Sequence, residues 1–553
     1  MRAFAGNAVH LGRRLLGPAA RGSGLTRTLL VIAGIGVAWF GWDVTTNDGP
    51  PSGGDRFTQI DAYVLDRMDD SRIPGVAIAI VENGSTVHAA GYGDDGRGNP
   101  ITAETPFWIG SNTKSITALA TMQLVENGTL DLDAPVQQYL PEFTVADSEA
   151  SAQITIRHLL NQTSGLSRID SIKTVAAGKD QTLDEAVADM ADLELNRPVG
   201  ETFEYANLNS VVLGLVIERV TELSWQNYVQ ANIFDPLAMT RTYTTKEAAE
   251  ANGLTTTPRY FFGFPHQTDG KHLMGLAPTG YVYSTANDMA RYLAMYRQGG
   301  TLDGNQILSE QGIAEMLTAA TNQRTFQLQS QSFTARYGTG WFIGPFGAAQ
   351  DARWHQGSLP HFTGWMVQLP DTGQAIVVLI NAGNQFEIGG ANATWSRIPQ
   401  GIVNILRDQP PPTGTGTARF FIIFNTAAAA AVVAQAWSLA RVLTNPVDHH
   451  RSRLRAAAPL VWEIGGAGLL LIGYPILFGG LGWRTTYGVV SDLTIAVAVI
   501  AGLALLTGIA RLARLVAARR EATPSGRPQP PIESAPEGSR AVEPESPAPL
   551  PTR

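Results

Sequence analysis

The chain has 553 residues, 44% of them hydrophobic and 16% charged, with a net charge of −8 and no cysteine. That is enough chain for several domain-sized units and too apolar for a disordered polypeptide. The missing cysteine excludes a disulfide scaffold, a thiolate metal site and a cysteine nucleophile, and leaves the redox compartment open. The charge is divided unevenly: residues 1–42 carry +5, 419–520 carry +7, 521–553 carry −2, and 43–418 carry −18. An acidic block between basic apolar ones argues against nucleic-acid binding and for an exported domain held by a lipid bilayer.

In chain order, Thr28–Trp42 is charge-free behind Arg2, Arg13, Arg14, Arg21 and Arg27. This pattern predicts a signal anchor over 1–42, favoured over a cleaved signal peptide because no A-x-A-like site follows. Arg13-Arg14-Leu15-Leu16 is a weak twin-arginine hint, and a mitochondrial transit peptide is a third reading. Residues 43–55 read as a linker, and 56–409 as the exported domain. Phe57, Ile60, Tyr63, Val64 and Met68 recur at helical spacing. Val76–Val81 and Val87–Tyr92 flank Asn83-Gly84, a hairpin signal because both turn residues tolerate positive φ. Helices are expected at Ser115–Asn127, Ile156–Leu160, Ser210–Leu223, Asp288–Tyr296 and Trp395–Arg407, and a strand pair at Phe362–Leu369 and Ala375–Ile380. Strands at both ends with helices between predict an α+β domain whose sheet is closed by its two termini.

After a linker at 410–418, three runs at about 420–440, 464–483 and 493–510 are long and apolar enough to span a bilayer. Arg441, Arg451, Arg453 and Arg455 follow the first, and Arg511, Arg514, Arg519 and Arg520 the third. The positive-inside rule therefore makes both regions cytoplasmic and the acidic domain extracytoplasmic. Residues 521–553, crowded with Pro, Glu and Ser, read as a disordered cytoplasmic tail.

Three segments carry chemistry. Ser111-Asn112-Thr113-Lys114 sits at a helix entry, where positions three apart share a face. The amine is thus within reach of a hydroxyl that needs a base to become nucleophilic. A capping serine beside a solvated lysine is the plainer reading of that segment alone. Tyr205 could take the serine proton if Lys114 acidified its phenol, and Asn207 could bond both the lysine and a substrate amide. His355-Gln356-Gly357-Ser358 lies just before the Phe362–Leu369 strand, where Gly357 would let a backbone N–H approach an oxyanion. Taken singly, Tyr205 and His355 read equally well as a packed loop tyrosine and a satisfied polar histidine.

These segments occur in order with Ile73-Pro74-Gly75-Val76, Gly128-Thr129-Leu130-Asp131, Ile154-Thr155-Ile156-Arg157-His158-Leu159-Leu160, Thr163-Ser164-Gly165-Leu166 and Ser284-Thr285-Ala286-Asn287-Asp288. From about Ile73 to Asn384 the chain resembles the serine β-lactamase and penicillin-binding-protein-like family, in its class C and esterase-like branch. The resemblance implies a β-lactamase/transpeptidase-like antiparallel sheet flanked by helices, with the all-α transmembrane region outside it. It implies Ser111 as the acylated nucleophile, Lys114 and Tyr205 as the proton-transfer pair, and Asn207 as the amide-positioning residue. The backbone N–H groups of Ser111 and Ser358 would form the oxyanion hole. His355 stands where much of the family has the lysine of Lys-Thr-Gly, which favours esterase, D-amino-acid peptidase or peptidoglycan-modifying chemistry over β-lactamase activity. The expected partners are a small-molecule or peptidoglycan-like acyl donor and the lipid bilayer, with no nucleic acid, cofactor or metal; His449-His450 lacks carboxylate or cysteine partners. A penicillin-binding sensor or scaffold that acylates without turnover is the alternative function. Specificity is expected in the loops at 165–200 and 255–285.

Overall fold

The computed structural model describes residues 54–521, apart from 269, 323, 329–330, 360–361, 383–393, 413–416, 447–457, 478–479 and 481. The expected anchor at 1–42, most of the linker at 43–55, and all but the first residue of the tail at 521–553 lie outside the described residues.

The chain enters through α1 (Arg56–Ser71), whose first amides at Phe57 and Thr58 are capped by the Asp55 carboxylate. The hairpin of β1 (Gly75–Glu82) and β2 (Ser85–Gly93) turns at Asn83 and Gly84, with φ of 49° and 80°. Those angles are what the Asn-Gly pair supplies at little steric cost. The remaining sheet strands come late in the chain: β3 (Arg324–Leu328), β4 (Gln331–Tyr337), β5 (Phe342–Phe346), β6 (Ala349–Leu359), β7 (Phe362–Leu369) and β8 (Gln374–Ile380). They form an eight-stranded antiparallel sheet in the order β2-β1-β8-β7-β6-β5-β4-β3. Val76 stands opposite Ile380 and Glu82 opposite Gln374, so the sheet closes through its first and last strands as expected.

Both faces of the sheet are covered, and the period-2 alternation of β1 divides its side chains between two cores. Val76, Ile78 and Ile80 pack with Ile60 and Val64 of α1 and with Ile398, Ile402 and Val403 of α5 (Thr394–Leu406). Ala77, Ala79 and Val81 face the helical region. That region includes α2 (Thr113–Glu126), α3 (Asn207–Thr221) and α4 (Ala286–Arg297), and its side chains form the larger core. Ile156–Leu160 and Phe362–Leu369 have the bounds read from the sequence. The remaining predicted elements differ by a few residues, and His355 lies inside β6, the strand just before β7.

Beyond the domain lie α6 (Thr417–Thr444), α7 (Gly466–Leu477) and α8 (Ser491–Glu521). Among the described residues, three helices are long and apolar enough to cross a membrane: Phe421–Thr444, Ala458–Leu477 and Ser491–Arg520. The second expected run, 464–483, is thus displaced: the helix starts earlier and stops at Leu477, and a separate short helix occupies Trp483–Val489. Gly480, at φ +76°, and Gly482 account for the interruption, since neither favours continued helix. The charges that bounded the second and third apolar runs meet: Arg511 donates to both Glu463 carboxylate oxygens, at 2.9 and 2.7 Å. This fork joins the two helices at one end of the bundle.

Candidate active site

Ser111 lies at the helix entry, on a 3-10 turn (Gly110–Asn112) that leads into α2. Gly110 makes that turn possible with φ +55°. A Cβ there would stand 2.9 Å from the Ser358 nitrogen, so the turn lies directly against β6. Gly357 is needed from the other side, because a Cβ on it would fall 1.8 Å from the Ile109 carbonyl oxygen. The buried Asn112 amide clips the turn by donating to that same oxygen at 3.0 Å. The two glycines therefore bring the Ser111 turn and the Ser358 amide together, the arrangement that an oxyanion site requires. Gly357→Ala is expected to lower stability by about 3 kcal/mol through overpacking and to reduce ester hydrolysis as Ser358 is displaced. Thermal unfolding and acetate-ester kinetics on one preparation check both.

Lys114, one helical turn on, is 2% exposed. Its Nζ donates to Ser111 Oγ at 3.1 Å and to the Thr279 carbonyl at 2.8 Å. Burial pulls the amine down to about 7, because the charged form loses its hydration without gaining a carboxylate. The Tyr205 hydroxyl hydrogen-bonds Ser111, and Lys114 Nζ lies 5.0 Å from the centre of the Tyr205 ring. The hydroxyl, the amine and the phenol read from distant segments are thus assembled. One expectation is corrected. Burial pushes the Tyr205 phenol up, and the Ser111 hydrogen bond offsets this only in part. Lys114 does not acidify the phenol; the amine itself is the group poised near neutrality.

Asn207 opens α3 and is half-buried. The bonds made by Lys114 run to Ser111 and Thr279, and an amide contact between Asn207 and Lys114 is not formed among the described residues. His355 is fully enclosed. Its Nδ1 faces the Gln356 carbonyl at 3.0 Å and its Nε2 the Tyr337 hydroxyl at 3.4 Å. A carbonyl can only accept, so Nδ1 carries the proton and Nε2 accepts from Tyr337. Burial, and after it the Lys114 charge, hold His355 down to about 3, neutral across the physiological range. A neutral, enclosed imidazole does not offer a substrate carboxylate the charge that a lysine would.

Sequence reasoning missed several supporting residues. Thr279 acts through its carbonyl, which leaves no side-chain signal. Gln162, at φ +60°, accepts from the Ala206 amide and the Asn209 side chain, both at 2.8 Å, and so fixes the backbone beside Tyr205. Tyr337 and Phe342 pack against Tyr205 from strands not foreseen.

Comparison with known proteins gives the same frame. The Beta-lactamase family model matches residues 60–397, and the chain belongs to that family. Protein flp of Staphylococcus aureus (strain NCTC 8325 / PS 47) is 28% identical over 344 residues, covering 60% of this chain. The match spans 64% of flp's own length. Penicillin-binding protein 4 of Amycolatopsis lactamdurans is 29% identical over 337 residues, covering 58% of this chain and 85% of that protein. Among solved structures, the D-amino acid amidase of Ochrobactrum anthropi SV3 shares the fold with a TM-score of 0.55 at 24% identity. That likeness covers 64% of this chain and 99% of the amidase.

Proposed function

We propose that the chain is a membrane-anchored extracytoplasmic serine hydrolase that works through an acyl-Ser111 ester. The observation that carries this reading is a buried amine, held near neutrality, bonded to the hydroxyl that it must deprotonate. In acylation, uncharged Lys114 accepts the Ser111 proton as Oγ bonds to the carbonyl carbon. The amide groups of Ser111 and Ser358 take the developing oxyanion, and collapse breaks the bond to the leaving group. Protonated Tyr205, bonded to Ser111, is placed to return a proton to the departing oxygen or nitrogen. The Lys114 ammonium then passes its proton to the Tyr205 phenolate, which restores both groups. In the second half, water loses a proton to uncharged Lys114 as it attacks the acyl carbon, and that proton goes to Ser111 Oγ as the free acid leaves. Neutral His355 favours donors without a carboxylate requirement, such as esters, D-amino-acid amides or peptidoglycan-linked esters, over β-lactams.

The membrane topology has its own support. The Arg441, Arg511, Arg514, Arg519 and Arg520 ends of the helices lie opposite the ends at Phe421, Trp483 and Ser491 that touch the domain. By the positive-inside rule, that arrangement supports cytoplasmic basic ends and a domain outside.

Steady p-nitrophenyl acetate hydrolysis by the full chain in detergent, lost after treatment with a fluorophosphonate, is the expected result. A single burst of p-nitrophenol without turnover would instead identify a sensor that acylates and stops.

A further inference from the structure

The domain does not hang from its membrane helices on a free tether. The connecting chain is tied down: the Asn404 amide donates to the Pro410 carbonyl at 2.9 Å and the Tyr63 hydroxyl to that of Pro412 at 3.3 Å. A two-stranded hairpin, Thr257–Phe261 with Phe264–Thr268, then rests on the first turns of α6. Phe262 stacks on Phe424 at 6.0 Å, and the Asn425 amide donates to the Phe262 carbonyl at 2.8 Å. Phe421 lies so close to Gly263 that a Cβ there would meet it at 2.5 Å. A third contact comes from the segment between the second and third spans. Arg259 donates to the Tyr487 carbonyl at 3.2 Å, and the Trp483–Val489 helix packs against the Arg168–Ala177 helix.

This last contact reaches the active site. The Arg168 amide donates to Glu204 at 2.9 Å, and Ser171 Oγ accepts from the Leu208 amide at 3.5 Å. The helix resting on the membrane segment is therefore built onto the residues flanking Tyr205. Ile169 on that helix is 43% exposed, and Phe264 on the hairpin 54%. Apolar side chains at this level suit the interfacial layer of a bilayer.

We infer that the acyl donor is an amphiphile of the outer leaflet, whose ester or amide carbonyl reaches Ser111 past the Tyr205 wall from the bilayer surface. This inference rests on the hydrolase reading, and the bonds made and broken are those given above. A site docked at the surface meets such a donor at a high local concentration, whereas a water-soluble donor gains nothing from the docking.

The test uses the full chain in phosphatidylglycerol-containing vesicles, with p-nitrophenyl palmitate in the bilayer and p-nitrophenyl acetate in the water. An undocked variant combines Phe424→Asp with twenty Gly/Ser residues inserted between 412 and 417. The expected result is a palmitate-to-acetate ratio of kcat/KM lowered about tenfold in the variant, with acetate hydrolysis unchanged. An unchanged ratio, while acetate hydrolysis persists and depends on Ser111, overturns the inference and leaves the hydrolase standing. If the wild type hydrolyses neither ester, the hydrolase reading fails and this one with it. Should the variant not fold, a second measurement decides. The chain has no cysteine, so Ile169→Cys takes a single fluorophore. Quenching of that fluorophore by headgroup spin-labelled lipid supports the docked site, and no quenching overturns it.

Discussion

Replacing Ser111 by alanine is expected to lower kcat/KM for p-nitrophenyl acetate by about 10⁴–10⁶-fold, since loss of a nucleophile removes the covalent route while leaving binding intact. The fold should survive the change. Ser111 is half-buried on a 3-10 turn whose shape is set by Gly110 and by the Asn112 clip to Ile109. Lys114 keeps its bond to the Thr279 carbonyl. Thermal unfolding followed by tryptophan fluorescence should therefore match the wild type, separating loss of chemistry from loss of structure. A Ser111→Ala variant that retains more than a few per cent of the rate would mean that another group carries the acyl chemistry.

Lys114→Met should cost activity and return stability. Removing the base is expected to lower acylation by about 10²–10⁴-fold. In the wild type, kcat/KM should rise about tenfold per pH unit below neutrality and level off above about 7, because only the uncharged amine accepts the serine proton. The stability effect has the opposite sign. A lysine held at about 7 when folded, against 10.5 ordinarily, disfavours the native state. The full penalty is roughly 5 kcal/mol at 1.36 kcal/mol per unit, offset in part by the two hydrogen bonds that the amine makes. The unfolded chain binds the extra proton between the two values, so wild-type stability rises with pH across that window. The advantage of Lys114→Met is thus largest at pH 7 and below, and fades as pH approaches 10. Urea unfolding of both proteins at pH 7 and pH 9.5 measures the difference; an advantage that grows with pH would contradict the assignment.

The parts of the fold legible in the sequence were those with local signatures. Asn83-Gly84 fixes a turn through its own backbone preferences, and Thr155 before Ile156–Leu160 caps its helix reciprocally with His158. β3 and β4 were not legible. Gln327, Gln331, Ser332 and Thr334 break any hydrophobic run, and these strands exist through pairing at the sheet edge, as Thr334 with Thr325 shows. The Ser111 and Lys114 pair was legible as a spacing, and Tyr205 through the company of its neighbours. What spacing could not convey is burial. That single property lowers the Lys114 amine toward neutrality, raises the Tyr205 phenol, and turns His355 from a ligand-facing residue into an enclosed neutral one. The docking of the domain on its own helices was hidden for a related reason. It depends on Phe262 and Phe424, which are 162 positions apart and carry no motif.

The most direct measurement is peptide mapping by mass spectrometry of the full-length protein, acid-quenched while turning over an activated ester. An acyl mass added to the peptide containing Ser111, absent from that peptide when Lys114 is replaced by methionine, is the predicted result. Turnover with every serine unmodified, or an adduct on another residue, would contradict it.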